Sequence, residues 1–278
     1  MRDTAIFLIE EAVDLLPYLA VFALIAVLAK GIGVLSGAWR ARGEISTNLA
    51  LWLFDLLVIM PVVLLPSLIL QKLFVPATGL AQIWAAMPFW LVAVIAVVAG
   101  DLIGYWRHRI EHHSSIWDAH AVHHSDTQFN WFTLYRMHPV NRFTTVTIDT
   151  FALAMLGLPP AALIANNVVR NIWGAFIHSD APWRLGVLGT ALISPVAHRV
   201  HHIDDAALAG RNFATVFTFW DRMFGTWHDG KGLERCATGV EGGSRGFVGE
   251  MLRPFPSIKR KSSAPSEPIA AQAKSANA

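Results

Sequence analysis

Twelve histidines stand in the 278-residue chain, and all but His228 fall between His108 and His202. Their spacing carries the information. His108 and His112 are four residues apart, His120, His123 and His124 follow at i, i+3 and i+4, and His198, His201 and His202 repeat that last arrangement. On an α-helix, residues three and four apart share a face. Each box therefore presents two or three imidazoles in one direction, and three such turns brought together can enclose two metal ions. An isolated histidine is usually a satisfied polar side chain, but three clusters in this order call for ligands. Imidazole suits zinc, copper, iron and nickel. A structural zinc site needs about four ligands, fewer than the boxes supply. The single cysteine, Cys236, excludes a disulfide within the chain and a thiolate-rich zinc or iron–sulfur site. Spacing alone leaves iron and zinc both open.

Asp101 and Tyr105 precede His108 and His112 on the same predicted helical face, at i, i+4, i+7 and i+11. They are expected to orient ring N–H groups from behind. His113 is adjacent to a ligand but outside the spacing, and it is not counted as one. His228 reads as a surface residue.

Helices in a membrane are the elements expected to position these boxes. The chain is 54% hydrophobic and 15% charged, whereas a soluble domain is near a quarter charged. Residues 1–14 lack the basic start of a signal peptide. Residues 15–35, 49–73 and 83–103 are each long enough to span. Asp55, inside the second span, should face the bundle, and Pro61 and Pro66 predict a kink there. The fourth apolar segment, 145–177, would be about 50 Å as one helix, too long for one crossing. Pro159–Pro160 divides it, and a hairpin broken there puts both ends of the histidine pattern on one face. Its second arm carries Asn166, Asn167, Arg170 and Asn171, so it should pack on protein or lie shallow, and not face lipid all round. The expected fold is an all-α integral membrane helical bundle of about four hydrophobic segments, one a hairpin, with a histidine-rich helical cap. The division is 1–107 as spans, 108–228 as the histidine domain including hairpin 145–177, and 229–278 as an irregular to disordered tail. Arg40 and Arg42 between the first two spans place that loop, and with it the cap, in the cytoplasm. Low lysine content and a single cysteine point to a bacterial inner membrane. A net charge of +2 offers no nucleic-acid footprint.

The boxes and their flanks resemble the membrane fatty acid hydroxylase / sterol desaturase superfamily of non-haem di-iron oxygenases. The HxxxH, HxxHH and HxxHH pattern matches His108/His112, His120/His123/His124 and His198/His201/His202. Around them, His124-Ser125, Asn130 and Arg136-Met-His138-Pro139 resemble the "HHS…N…R-x-HP" stretch. Phe176-Ile-His178-Ser179 resembles "F-x-HS", and Asn212 with Trp220-Asp221…Phe224-Gly225-Thr226 resembles the closing "N…WD-x-x-FGT". The resemblance implies that His178 is a further ligand, that His138 is a ligand or supporting residue, and that Asp221 is a supporting one. Asn141 stands where an acidic residue often follows "HP", and Asn212-Phe-Ala214 replaces "NYG". The implied reaction uses two Fe ions, O2 as co-substrate and electrons from a ferredoxin or cytochrome b5-type donor to hydroxylate or desaturate a lipid at an alkyl or sterol carbon. Two rival readings are a membrane zinc lipid hydrolase with Glu111 as general base, and a histidine-rich metal transporter.

Overall fold

The computed structural model describes residues 20–63 apart from 29, 30 and 32, positions 69 and 72, and residues 79–255 apart from 206. The described residues form helices and irregular chain without a β-strand, and one isolated antiparallel bridge joins Leu192 to Phe217. In order come α1 (Gly33–Arg40), α2 (Arg42–Phe54), α3 (Leu80–Ala85), α4 (Phe89–Glu111), α5 (Trp117–His124), α6 (Pro139–Met155), α7 (Pro160–Ile177), α8 (Pro195–His201), α9 (Thr218–Met223) and α10 (Gly246–Met251). Residues 20–28 are also helical.

Helix α4 is the spine. Pro88 is extended and starts it, and the first charged residue after that is Asp101. Its 23 residues make about 35 Å of helix. It and the segment Arg42–Val63 are the two described helices long and apolar enough to cross a membrane. Helices α6 and α7 both pack on α4. Val92 and Ala96 meet Leu153, Leu158 and Ala162 in that contact. Gly100 and Gly104 sit one turn apart on α4, where an added methyl would collide with the Asn166 amide and the Arg170 guanidinium respectively. Small residues thus admit polar groups of α7 into a tight helix pair. Asn166 is fully buried in that contact.

The 145–177 segment breaks at residues 156–159. Gly157 takes a left-handed φ of +63° just past α6, Pro159 is extended, and Pro160 opens α7. This follows the usual preference for glycine after a helix and proline at its first turn. The outer faces of α6 and α7 leave Phe151, Ile164, Val168 and Ile172 exposed, as α4 leaves Phe89, Trp90 and Val94. Apolar surface on this scale marks a membrane or partner face.

The kink expected at Pro61 takes the form of a π-helical turn, Asp55–Ile59, after which the helix resumes to residue 63. Proline offers no N–H to the preceding turn and crowds it, and a widened turn relieves both. Asp55 is buried and pairs with Arg142 of α6 at 2.7 Å. The readings of residues 1–14, of the start of the first span, of Pro66 and of the tail from 256 lie outside the described residues. One correction concerns 229–255, expected to be irregular. Helix α10 forms there and packs on α2, because Glu250 is wholly buried against Arg136 (2.9 Å) and Arg253 (2.6 Å).

Candidate metal centre

Nine histidines converge into two adjoining groups. His108, His112, His120, His124 and His201 form the first, and His123, His178, His198 and His202 form the second. In each group one nitrogen per ring lies within 4.8 Å of all the others. The groups meet where the rings of His124 and His202 stack, 4.4 Å between centroids.

The division explains the two HxxHH boxes better than a shared face does. At about 100° per residue, position i+4 returns to about 40° on one flank of i, while i+3 falls about 60° to the opposite flank. Helix α5 accordingly gives His120 and His124 to the first group and His123 to the second. The α8 box does the reverse, giving His198 and His202 to the second and His201 to the first. Helix α4 adds His108 and His112 to the first, and the C-cap of α7 adds His178 to the second. Ser194 caps α8 by accepting from the Ala197 N–H at 3.1 Å, and Pro195 opens it.

Backbone carbonyls fix four of the nine rings. The Nδ1–H groups of His108, His201, His123 and His178 face the carbonyl oxygens of Phe213 (2.8 Å), Arg211 (2.7 Å), Arg136 (3.3 Å) and Gly174 (2.6 Å). A neutral imidazole that donates from Nδ1 carries a bare lone pair on Nε2. Yet the Nε2 atoms of His108 and His201 lie 2.9 Å apart, and those of His123 and His178 lie 3.2 Å apart. Facing lone pairs repel unless a cation sits between them. Two nitrogens bound at about 2.1 Å to one ion at roughly right or tetrahedral angles would be spaced at about 3.0–3.4 Å. The residues present therefore fit a metal ion in each group. The protein environment also keeps the rings neutral. Burial pushes His201 down to about 3 and His178 to about 4, and it lowers His120, His123, His124, His198 and His202 as well.

His120 is held differently, by side chains. Its Nδ1 lies 3.0 Å from Asn141 Oδ1 and 3.6 Å from Glu111. Glu111 is itself committed, accepting from Arg107 at 2.7 Å and from Thr144 at 2.8 Å. Arg107 continues to Asp149 of α6 (2.8 Å), and Asp149 to Arg170 of α7 (3.1 Å). A neutralised chain of four charges thus runs from the α4–α6–α7 contact to one imidazole. Glu111, the base that a zinc hydrolase reading requires, is tied into this chain.

Asp101 and Tyr105 do not orient rings directly, which corrects the expectation from spacing. Asp101 accepts from the backbone N–H groups of Thr215, Val216 and Phe217 at 2.9–3.1 Å. Tyr105 bonds to Thr226 at 3.0 Å. Asp221 accepts from the N–H groups of Phe213 (2.8 Å) and Ala214 (3.1 Å), and burial pushes its carboxyl up to about 6. Both carboxylates hold the 212–217 loop, whose Phe213 carbonyl faces His108. An acid on the right helical face was visible in sequence, but the loop that would claim its oxygens was not. His138 joins neither group. It caps α6, accepting from the Val140 N–H at 3.2 Å, with its other nitrogen 3.2 Å from the Met251 carbonyl. His113 is exposed and His228 half-buried, both outside the groups.

Arg136 has a role that the sequence reading gave to no single residue. It is wholly buried and donates to the Val122 carbonyl, Glu44, Asn48, Ser244 and Glu250 at 2.7–2.9 Å. It joins α2, α5 and α10 around the carbonyl that holds His123. Charged residues in apolar stretches, Arg107 and Asp149 among them, were the available signal for such networks.

Residues 93–226 match the family model for fatty acid hydroxylase. That segment holds both histidine groups and is similar to the fatty acid hydroxylase family. The chain is 33% identical over 145 residues to alkylglycerol monooxygenase of Danio rerio, covering 52% of this chain and 31% of that protein. It is 27% identical over 176 residues to ornithine lipid hydroxylase OlsE of Rhizobium tropici, covering 63% and 53%. Lathosterol oxidase of Rattus norvegicus is 27% identical over 143 residues, covering 50% and 46%. The chain thus spans between about a third and about a half of the length of these relatives. No solved structure matches.

Proposed function

We propose that the chain is a membrane-bound lipid oxygenase, a hydroxylase or desaturase, in which the two histidine groups each hold one iron. The observation that carries this reading is the pairing of bare Nε2 lone pairs in both groups at the end of apolar helices. When bound, a pair of irons supplies activation of O2 and hydrogen abstraction at an alkyl or sterol carbon. The protein's own part is positional. Carbonyls 211 and 213 and Asn141 fix three rings of the first group, and carbonyls 136 and 174 fix two rings of the second. Phe129, tilted, and Phe213, edge-on, pack against these rings and keep bulk water from them, with Phe129 4.8 Å from His202 and Phe213 5.0 Å from His112 between centroids. The similar proteins are named for oxidation of an alkylglycerol, an ornithine lipid and a sterol, which supports a lipid substrate. Electrons come from a separate ferredoxin or cytochrome b5-type donor. The helices cross a bacterial inner membrane about four times, counting the hairpin arms, with the histidine cap in the cytoplasm and residues 108–228 as the catalytic domain. Comparing lipid extracts from cells with and without the gene tests the proposal. Lipids that gain one oxygen atom, or lose two hydrogens, only when the gene is present are expected. Unchanged lipids beside hydrolysis that proceeds without O2 would replace it with the zinc hydrolase.

A further inference from the structure

A groove of about 930 Å³ opens between the N-terminal helices and the cap. That is the size of pocket that encloses a small ligand, roughly 300–1,000 Å³. Its two sides differ in chemistry. The inner face of residues 20–28 contributes Phe22, Ile25 and Ala26, and α1 contributes Val34 and Ala38. The outer face of the same 20–28 helix exposes Val21, Leu24 and Leu28, so this wall continues an apolar surface. The opposite side, from the cap, brings Arg199, Asp180, Glu234 and Arg235. Between the groove and the second histidine group stands Phe129. Its ring lies 4.8 Å from that of His202 and 5.5 Å from that of His178, and it also lines the groove. Arg199 sits over the Phe129 ring at 5.3 Å and is pinned by Asp180 and by the Cys236 carbonyl at 2.7 Å.

We propose that this groove receives a single alkyl chain of an amphiphilic lipid, laid along the wall of Phe22, Ile25, Ala26, Val34 and Ala38 with its polar head against Arg199 and Arg235, and that Phe129 is the shutter between that chain and the second histidine group. The inference deepens the lipid-oxidation reading and rests on it for the role of Phe129. The location of the groove's ligand stands separately. An alkyl chain fits the apolar wall, and a head bearing both charges fits the mixed opposite side. The groove ends at Phe129, whose ring packs on His202 and His178, which gives a bound chain a route to the candidate metal centre one aromatic ring long.

The test uses the full chain in phosphatidylcholine nanodiscs with a lysophosphatidylcholine carrying a diazirine on its alkyl chain. After irradiation, labelled residues are mapped by mass spectrometry in metal-free and iron-loaded protein. Label within 22–41 and at Phe129 is expected in both forms. Label confined to the outer faces of α4, α6 and α7 would overturn the groove. For the shutter, Phe129→Trp should keep the groove label while oxidised lipid falls about a hundredfold, the scale of a small misplacement at a reacting centre. Phe129→Leu should keep both the groove label and the bound iron, which confirms that the fold tolerates change there. Undiminished oxidation in Phe129→Trp would remove the shutter. Groove label without oxidation by wild type would sink the oxygenase reading and leave the groove. Oxidation with an unlabelled groove would do the opposite.

Discussion

The two histidine groups are built from the same helices and supported in different ways. The first has five rings, of which His108 and His201 are fixed by loop carbonyls and His120 by Asn141, beside a chain of paired charges that reaches into the α4–α6–α7 contact. The second has four. Two of them, His123 and His178, face carbonyls, while Nδ1 of His198 and of His202 is buried without a protein partner among the described residues. All four are buried, and the second group borders the groove through Phe129. The difference suggests a division of labour. The first group is over-determined and holds its geometry, whereas the second has no donor to spare and lies nearer the place where a substrate chain would arrive.

The largest expected effect follows from donor number. His123→Ala leaves the second group three rings, and it should lose its ion and lipid oxidation should fall below detection. His112→Ala leaves the first group four, about what an imidazole site needs, so both ions should be retained with weaker binding. Metal content measured on the two variants side by side breaks the comparison if the losses are equal. Next in size is Arg136→Met. It removes one of the two guanidinium partners of buried Glu250, a loss of up to about 3–5 kcal/mol for a broken buried pair. Denaturation in detergent should show that loss, and iron should be lost from the second group first, because Arg136 supplies the His123 carbonyl.

A smaller effect, and a sharper one, is expected of Asn141→Ala. Removing a partner that orients a ligand typically weakens metal binding by about 10–100-fold. The loss should fall on the first group alone and be rescued by Asn141→Asp, which restores an acceptor to His120 Nδ1. Iron titration followed by Mössbauer spectroscopy separates the two ions. Smallest is the pH response of metal-free protein. His178 and His201 have folded values near 4 and 3, below the ordinary imidazole value of about 6.5. Their unfolded forms therefore bind protons first as pH falls. Stability should be constant above about 6.5 and decline from there toward 4, read as a falling melting temperature. Bound metal should move that decline to lower pH.

Much of this was legible in the residues. The boxes name the rings, Pro159–Pro160 names the turn that brings His178 to the others, and Asn166 and Arg170 announce an arm that packs on protein. The assignment of each ring to a group was also present in the spacing, since 120/124 and 198/202 are four apart while 123 and 201 break the run. It became clear only once both short helices were seen to face each other. The supports were the least legible. Backbone carbonyls have no sequence signature, so Phe213, Arg211 and Gly174 could not be picked out as ring holders. Asp101 and Tyr105 lie on the right face of α4, but loop 212–217, more than a hundred residues away, takes their polar atoms. Helix α10 depends on Glu250 finding Arg136 across the fold, a pairing that composition does not announce.

The central claim is that two adjoining groups each hold one metal ion, and that the metal is iron. Metal analysis of protein purified under mild conditions, followed by iron titration of the stripped protein, tests it most directly. Two equivalents of iron per chain are expected, with one lost in His123→Ala. A single equivalent, or zinc at full occupancy with iron unable to displace it, would rule out a di-iron centre.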